Sequence, residues 1–149
     1  RLLAAVAGNH VRPADRDATV VDMGTEATVD FVRRDGVFCG GAILPGVAMA
    51  ARALHEFTDL LPLVPMSELE DSPPALGNDT IGAMRSGLFW GAVGGVRELI
   101  SQMSDPGEPP LVILTGGAVK SVARLLAEDA LYEPHLVLAG IALTAEAQA

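Results

Sequence analysis

An acid, a glycine and a threonine stand close together at the end of an apolar stretch, in Asp22-Met23-Gly24-Thr25. A second apolar stretch, Leu111–Leu114, runs into Thr115-Gly116-Gly117. The chemistry open to such turns is anion binding. A strand delivers Asp22 to its carboxyl end, a common ligand position in open α/β sheets. Gly24 permits a tight turn with N–H groups free to point at an anion. The Thr25 hydroxyl can donate to a phosphate oxygen. Asp22 alone would repel phosphate, so it belongs there if a cation sits between the two. Thr115-Gly116-Gly117 opens a helix, which adds free N–H groups and the positive end of a helix dipole. Each turn also reads as an ordinary tight connection. Two of them, each at a strand end in one small domain, could hold a nucleotide from two sides. A third glycine segment, Gly40–Gly46, reads equally well as a bulged strand leading into a helix.

The elements that must carry these turns follow from pattern and punctuation. Arg1–Gly8 has helical propensity and a glycine stop, and His10–Asp17 is a polar loop. Thr19–Val21 is a short buried strand ending at Asp22. Thr28–Arg33 alternates as a strand, Arg34-Asp35-Gly36 signals a hairpin, and Val37–Leu44 returns. Pro45 suits the first position of a helix in which Val47, Ala50, Ala51 and Leu54 recur up to about Leu60. Leu61–Asn78 is irregular, with Pro62, Pro65, Pro73, Pro74 and the acidic Ser67–Asp71, and reads as a solvated loop. Asp79 or Asn78 can cap a long helix running to about Met103. Leu111–Leu114 is a strand, Val119–Ala127 a helix, His135–Leu138 a short strand, and Ile141–Ala147 a closing helix after Gly140. A hairpin followed by alternating strands and helices implies an α/β fold, a mixed sheet covered on both faces.

Composition narrows the partners. The chain has 149 residues and a formal net charge of −9. The length suits one domain or one half of a two-domain enzyme. The charge argues against nucleic acid and against an anionic membrane surface. No uncharged apolar run reaches the roughly 18 residues of a membrane span. The lone cysteine, Cys39, excludes an internal disulfide and reads as a buried structural thiol; a reducing cytoplasm is the default compartment. His10, His55 and His135 lack metal-ligand spacing. Phe89 and Trp90 read as core, and Lys120 as a solvated helix lysine. Gly87, Gly91 and Gly95 fall at i, i+4, i+8 on the long helix. Each interior glycine costs about 1 kcal/mol against alanine. Compensation comes either from close packing within the subunit or from a two-fold contact with a second one. The opening Arg1–Gly8 reads as a helix already under way, as if the chain began inside a longer protein.

These residues resemble type III pantothenate kinase. The resemblance rests on Asp22–Thr25, Gly40–Gly46, Asn78–Gly87 and Leu114–Gly117, in that order and spacing, with His55–Val64 and His135–Leu143 adding weaker likeness. It implies the actin-like ATPase fold of two ribonuclease-H-like halves with ATP in the cleft. Residues 1–149 would be the second, C-terminal half, without its N-terminal domain. The implied reaction is transfer of the ATP γ-phosphoryl group to the hydroxyl of pantothenate, the first step toward coenzyme A, with Mg2+ and a monovalent cation, K+ or NH4+. By the same resemblance, Asp22 is the monovalent-cation ligand, Gly24 and Thr25 contact ATP phosphate, and Gly116 and Gly117 form the adenosine-side turn. Arg1 matches the arginine of a Gly-x-Asp-Arg substrate segment, a plausible clamp for the pantothenate carboxylate. Thr80 is a pantothenate contact reaching toward a neighbouring subunit of a homodimer. The general base is expected just before Arg1, so this chain holds no catalytic residue of its own and should not turn over alone. Glu26 departs from the small residue usual after Asp-x-Gly-Thr. At about 6 Å from phosphate, with an effective dielectric near 20, it would repel by about 3 kcal/mol. It is expected to point to the other face of its strand or to join the cation site. Two readings compete with the first: another small-molecule kinase of the same fold, and a non-catalytic regulatory or accessory homologue.

Overall fold

The computed structural model describes residues 1–65, 72–117 and 120–147. Helix α1 (Leu2–Val11) leads into strands β1 (Ala18–Met23), β2 (Glu26–Val32) and β3 (Phe38–Pro45). Helices α2 (Val47–Glu56) and α3 (Thr80–Met103) follow. Then come β4 (Leu111–Gly116), α4 (Lys120–Leu126), β5 (Leu131–Tyr132) and α5 (Leu136–Glu146). The five strands form one sheet in the order β3-β2-β1-β4-β5. β1 to β3 are an antiparallel meander, whereas β4 runs parallel to both β1 and β5. The mixed sheet with a hairpin is the one the sequence implies.

Side-chain alternation along the strands divides the core between two faces. On one face Ala4, Ala5 and Ala7 of α1 and Leu136 of α5 pack on Val20, Val32 and Ile113. On the other, Phe89, Val93 and Val96 of α3 and Val122 and Leu126 of α4 pack on Val21, Val29, Val112 and Leu114. Phe89 is thus core, and Trp90 packs against it while its indole N–H donates to the Pro73 carbonyl at 2.9 Å. Asp79 caps α3, its carboxylate accepting from the Gly82 N–H at 2.6 Å, and the helix ends at Met103 as its pattern predicts.

Several boundaries differ, each for a tertiary reason. Gly8 does not stop α1. A Cβ there would stand 2.7 Å from Val20 Cγ2, so its bareness seats the helix on the sheet. Pro45 is the last residue of β3, and Gly46 takes the N-cap of α2. His135–Leu138 is not a strand: Leu136 already begins α5, and the final strand is Leu131–Tyr132. A short apolar run fits either element by periodicity. Gly140 lies inside α5, where a Cβ would meet the Leu3 carbonyl at 1.9 Å, so contact with α1 decides the matter. Cys39 is exposed, not buried, because it sits in a bulge of the edge strand. The acidic segment 67–71 lies outside the described residues, as does the side chain of Lys120.

Candidate active site

The Asp22 and Thr115 turns meet because β1 and β4 are parallel neighbours in register. Asp22 pairs with Thr115 and Met23 with Gly116. Gly116 turns with φ +89°, a conformation that favours glycine, and a Cβ on it would lie 2.6 Å from both Asp22 Oδ1 and the Met23 carbonyl. The Asp22 carboxylate therefore rests against bare backbone of the other turn. Across β2, Thr28 stands opposite Asp22, so the acid is flanked in the sheet by two buried threonines, Thr28 and Thr115.

Two amides are not free in the way the turns suggested. The Gly24 N–H donates to the Glu26 carbonyl at 3.0 Å, and the Gly117 N–H to the Met23 carbonyl at 3.1 Å. The first closes the β1–β2 connection, and the second ties the tips of β1 and β4 together. Short turns spend their own donors in this way. Thr25 is exposed, and its carbonyl accepts from the Gly46 N–H at 3.1 Å, tying this turn to the start of α2. The described part of α4 starts at Lys120, and residues 118–119 between it and Gly117 lie outside the described residues.

Charge is concentrated here. Burial raises the Asp22 carboxyl above its ordinary value of 3.8. The charges of Glu26 and Asp30 push it further up. Glu26 does not turn to the opposite face: it is two residues from Thr28, which pairs with Asp22, and so shares the Asp22 face.

Arg1 is positioned by an acid that sequence reading missed. Asp30, 1% exposed, receives Nε at 3.0 Å and Nη2 at 2.6 Å of the Arg1 guanidinium. The guanidinium carbon lies 6.0 Å from the centre of the Phe38 ring. The only signal for Asp30 was a lone acid at a buried strand position. The structure thus brings Asp22, Gly24, Thr25, Gly116 and Gly117 together at the carboxyl ends of the two interior strands β1 and β4, with Arg1 on the face that Asp22 and Asp30 share. Thr80 is not in that cluster. It begins α3 and lines a groove of about 1070 Å3 between α2 and α3, shared with Leu44, Met84 and Leu88. Gly87 and Gly91 also line this groove, and a Cβ on either would meet nothing within 4 Å. Among the described residues, only Gly95 of this stripe is approached by its own chain, at 3.4 Å from Leu44. Among the described residues no cluster of three His, Cys, Asp or Glu could hold a metal.

A family model described as type III pantothenate kinase matches residues 1–102. The chain belongs to the type III pantothenate kinase family. A curated type III pantothenate kinase from Rhodopirellula baltica is 43% identical over 142 residues, covering 92% of this chain and 50% of that protein. One from Gluconobacter oxydans is 43% identical over 132 residues, covering 85% and 46%. The chain spans about half the length of the curated relatives it matches. A solved structure described as a Baf family transcriptional activator from Campylobacter jejuni superposes with a TM-score of 0.67 at 22% identity, over 98% of this chain and 64% of that one. The shared fold is the actin-like ATPase fold. No helix among the described residues is long and apolar enough to cross a membrane.

Proposed function

We propose that this chain is the C-terminal ribonuclease-H-like half of a kinase that phosphorylates pantothenate from ATP, the entry to coenzyme A synthesis, in the cytoplasm. The observation that carries the reading is the meeting of two turns, Asp22–Thr25 and Thr115–Gly117, at the tips of adjacent parallel strands. That is where open α/β sheets bind ligands, and it lies in a chain of this family.

ATP supplies the phosphoryl group, and phosphoryl transfer is mostly positioning and charge neutralisation. The residues here divide that work. The exposed Thr25 hydroxyl is the phosphate donor, and the backbone at Gly24 lets phosphate approach. Gly116 and Gly117 form the adenosine side. A carboxylate flanked by Thr28 and Thr115, with Glu26 on the same face, is an all-oxygen donor set. It fits a hard cation whose remaining ligands are water or phosphate oxygens. Asp22 would hold a monovalent cation, K+ or NH4+, and Mg2+ would accompany the phosphates. The cation would turn the crowded negative charge of Asp22 and Glu26 from a repulsive into a binding feature. Arg1 would receive the pantothenate carboxylate, and the general base would precede Arg1 in the longer protein.

Thr80 would serve a pocket shared between two subunits. The bare faces of Gly87 and Gly91, with Met49 and Phe57 exposed nearby, support a second copy seated along α3. The test of the reaction is formation of phosphopantothenate by the full-length protein with ATP, Mg2+ and K+. Product is expected from the native protein, with a loss of at least about a hundredfold in Asp22→Ala, as when one key electrostatic contact is removed. A folded full-length protein that makes no product and gives no heat on titration with ATP would instead be an accessory homologue.

A further inference from the structure

Asp30 is an acidic side chain in a place that disfavours charge. It is 1% exposed, in the middle of β2, and its salt-bridge partner is Arg1, the side chain of which is 38% exposed. A buried carboxylate contributes little to stability over an apolar residue of the same size, so its presence calls for another reason. The surroundings are shaped around it. Gly41 stands opposite on β3, where a Cβ would fall 2.5 Å from Asp30 Oδ1 and 2.0 Å from the Val29 carbonyl. The adjoining Gly40, at φ +106°, belongs to the bulge that shifts the β2–β3 register. Phe38, at the other side of that bulge, pairs with Val32 and carries the ring beside the guanidinium. Acid, bare strand and ring therefore form one seat for one arginine.

The seat also fixes which edge of the arginine is used. Asp30 takes the Nε–Nη2 edge, leaving Nη1 out of the pair. A guanidinium presents its donors in a rigid planar fork. Holding one edge therefore aims the other.

We propose that Asp30 is a positioning residue for substrate selection: it locks Arg1 so that the remaining guanidinium edge receives the carboxylate of the acceptor substrate. The proposal rests on the assignment of Arg1 to the pantothenate carboxylate. Gly41 and the Phe38 bulge keep the lock in place from the edge strand.

The experiment compares pantothenate with pantothenyl alcohol, its uncharged analogue, as acceptors for the full-length enzyme. Asp30→Asn keeps the shape and removes the charge. It is expected to raise KM for pantothenate roughly tenfold or more, as for loss of a charge-assisted contact. KM for the alcohol and for ATP should change less than about threefold, so the preference for the acid shrinks by the difference. A merely structural role would move both acceptors together, and that result overturns the proposal. If Asp30→Asn fails to give a cooperative melt, Arg1→Lys carries the test. It keeps the charge but lacks the two-edged fork, and it should lose acid preference likewise; an unchanged preference overturns the proposal. Arg1→Gln separates the two levels. Unchanged acid preference there removes the assignment of Arg1 itself. Lost preference in Arg1→Gln beside full preference in Asp30→Asn leaves that assignment standing and removes the role of Asp30.

Discussion

Replacing Gly116 by alanine puts the contact between the two turns under direct strain. At φ +89° an L-residue pays a backbone penalty of about 1–2 kcal/mol. The new Cβ would also lie 2.6 Å from Asp22 Oδ1 and 2.6 Å from the Met23 carbonyl, closer than real Cβ contacts allow. The Met23 carbonyl accepts the Gly117 N–H, so it cannot withdraw without loosening the tie between β1 and β4. Forced shifts of this kind cost about 1–3 kcal/mol. The sum is a destabilisation of about 2–5 kcal/mol. Gly117→Ala is the matched control, since no described residue comes within 4 Å of its Cβ position and its φ is not in the left-handed region; it should stay within about 0.5 kcal/mol of the native protein. Urea unfolding of the intact protein reads the difference as a lower midpoint at unchanged slope. The displaced Asp22 carboxylate should also abolish any stabilisation by ATP with K+. If Gly116→Ala unfolds at the same urea concentration as Gly117→Ala, the packed arrangement of Asp22 against the second turn is wrong.

Asp22→Asn tests the electrostatics. Burial first, and the charges of Glu26 and Asp30 after it, raise the folded-state carboxyl above 3.8. The folded protein then binds that proton more tightly than the unfolded chain, so the Asp22 contribution to stability falls as pH rises from 3.8 through the raised value. Without ligands, Asp22→Asn should melt higher than the native protein at pH 7, with the gap closing toward pH 3.8; an equal or lower melting temperature at pH 7 contradicts the assigned burial cost. Gly91→Leu fills open space beside α3 and should leave the subunit fold intact. If the proposed contact along α3 holds, light scattering should find a dimer for the native full-length protein and monomers for the variant, and a persisting dimer would move the subunit contact elsewhere.

The sequence by itself determined what local chemistry controls. The hairpin at Arg34–Gly36, the Asp79 cap and the strand–turn character of Asp22–Thr25 and Thr115–Gly117 depend on residues within a few positions of one another. The motifs in order also sufficed for the family. What needed the tertiary structure was every feature set by register or by approach of distant segments. Asp30 stands 29 residues from Arg1 in the chain and meets it only because β2 carries the acid beneath the start of α1. Gly140 reads as a boundary until Leu3 is seen to need its missing side chain. The Gly24 and Gly117 amides look available until neighbouring strands close on them. Glu26 faces Asp22 through strand pairing, which no neighbour in sequence dictates. Turn residues act through their own backbone angles, whereas faces, buried pairs and spent donors follow from which strands and helices lie side by side.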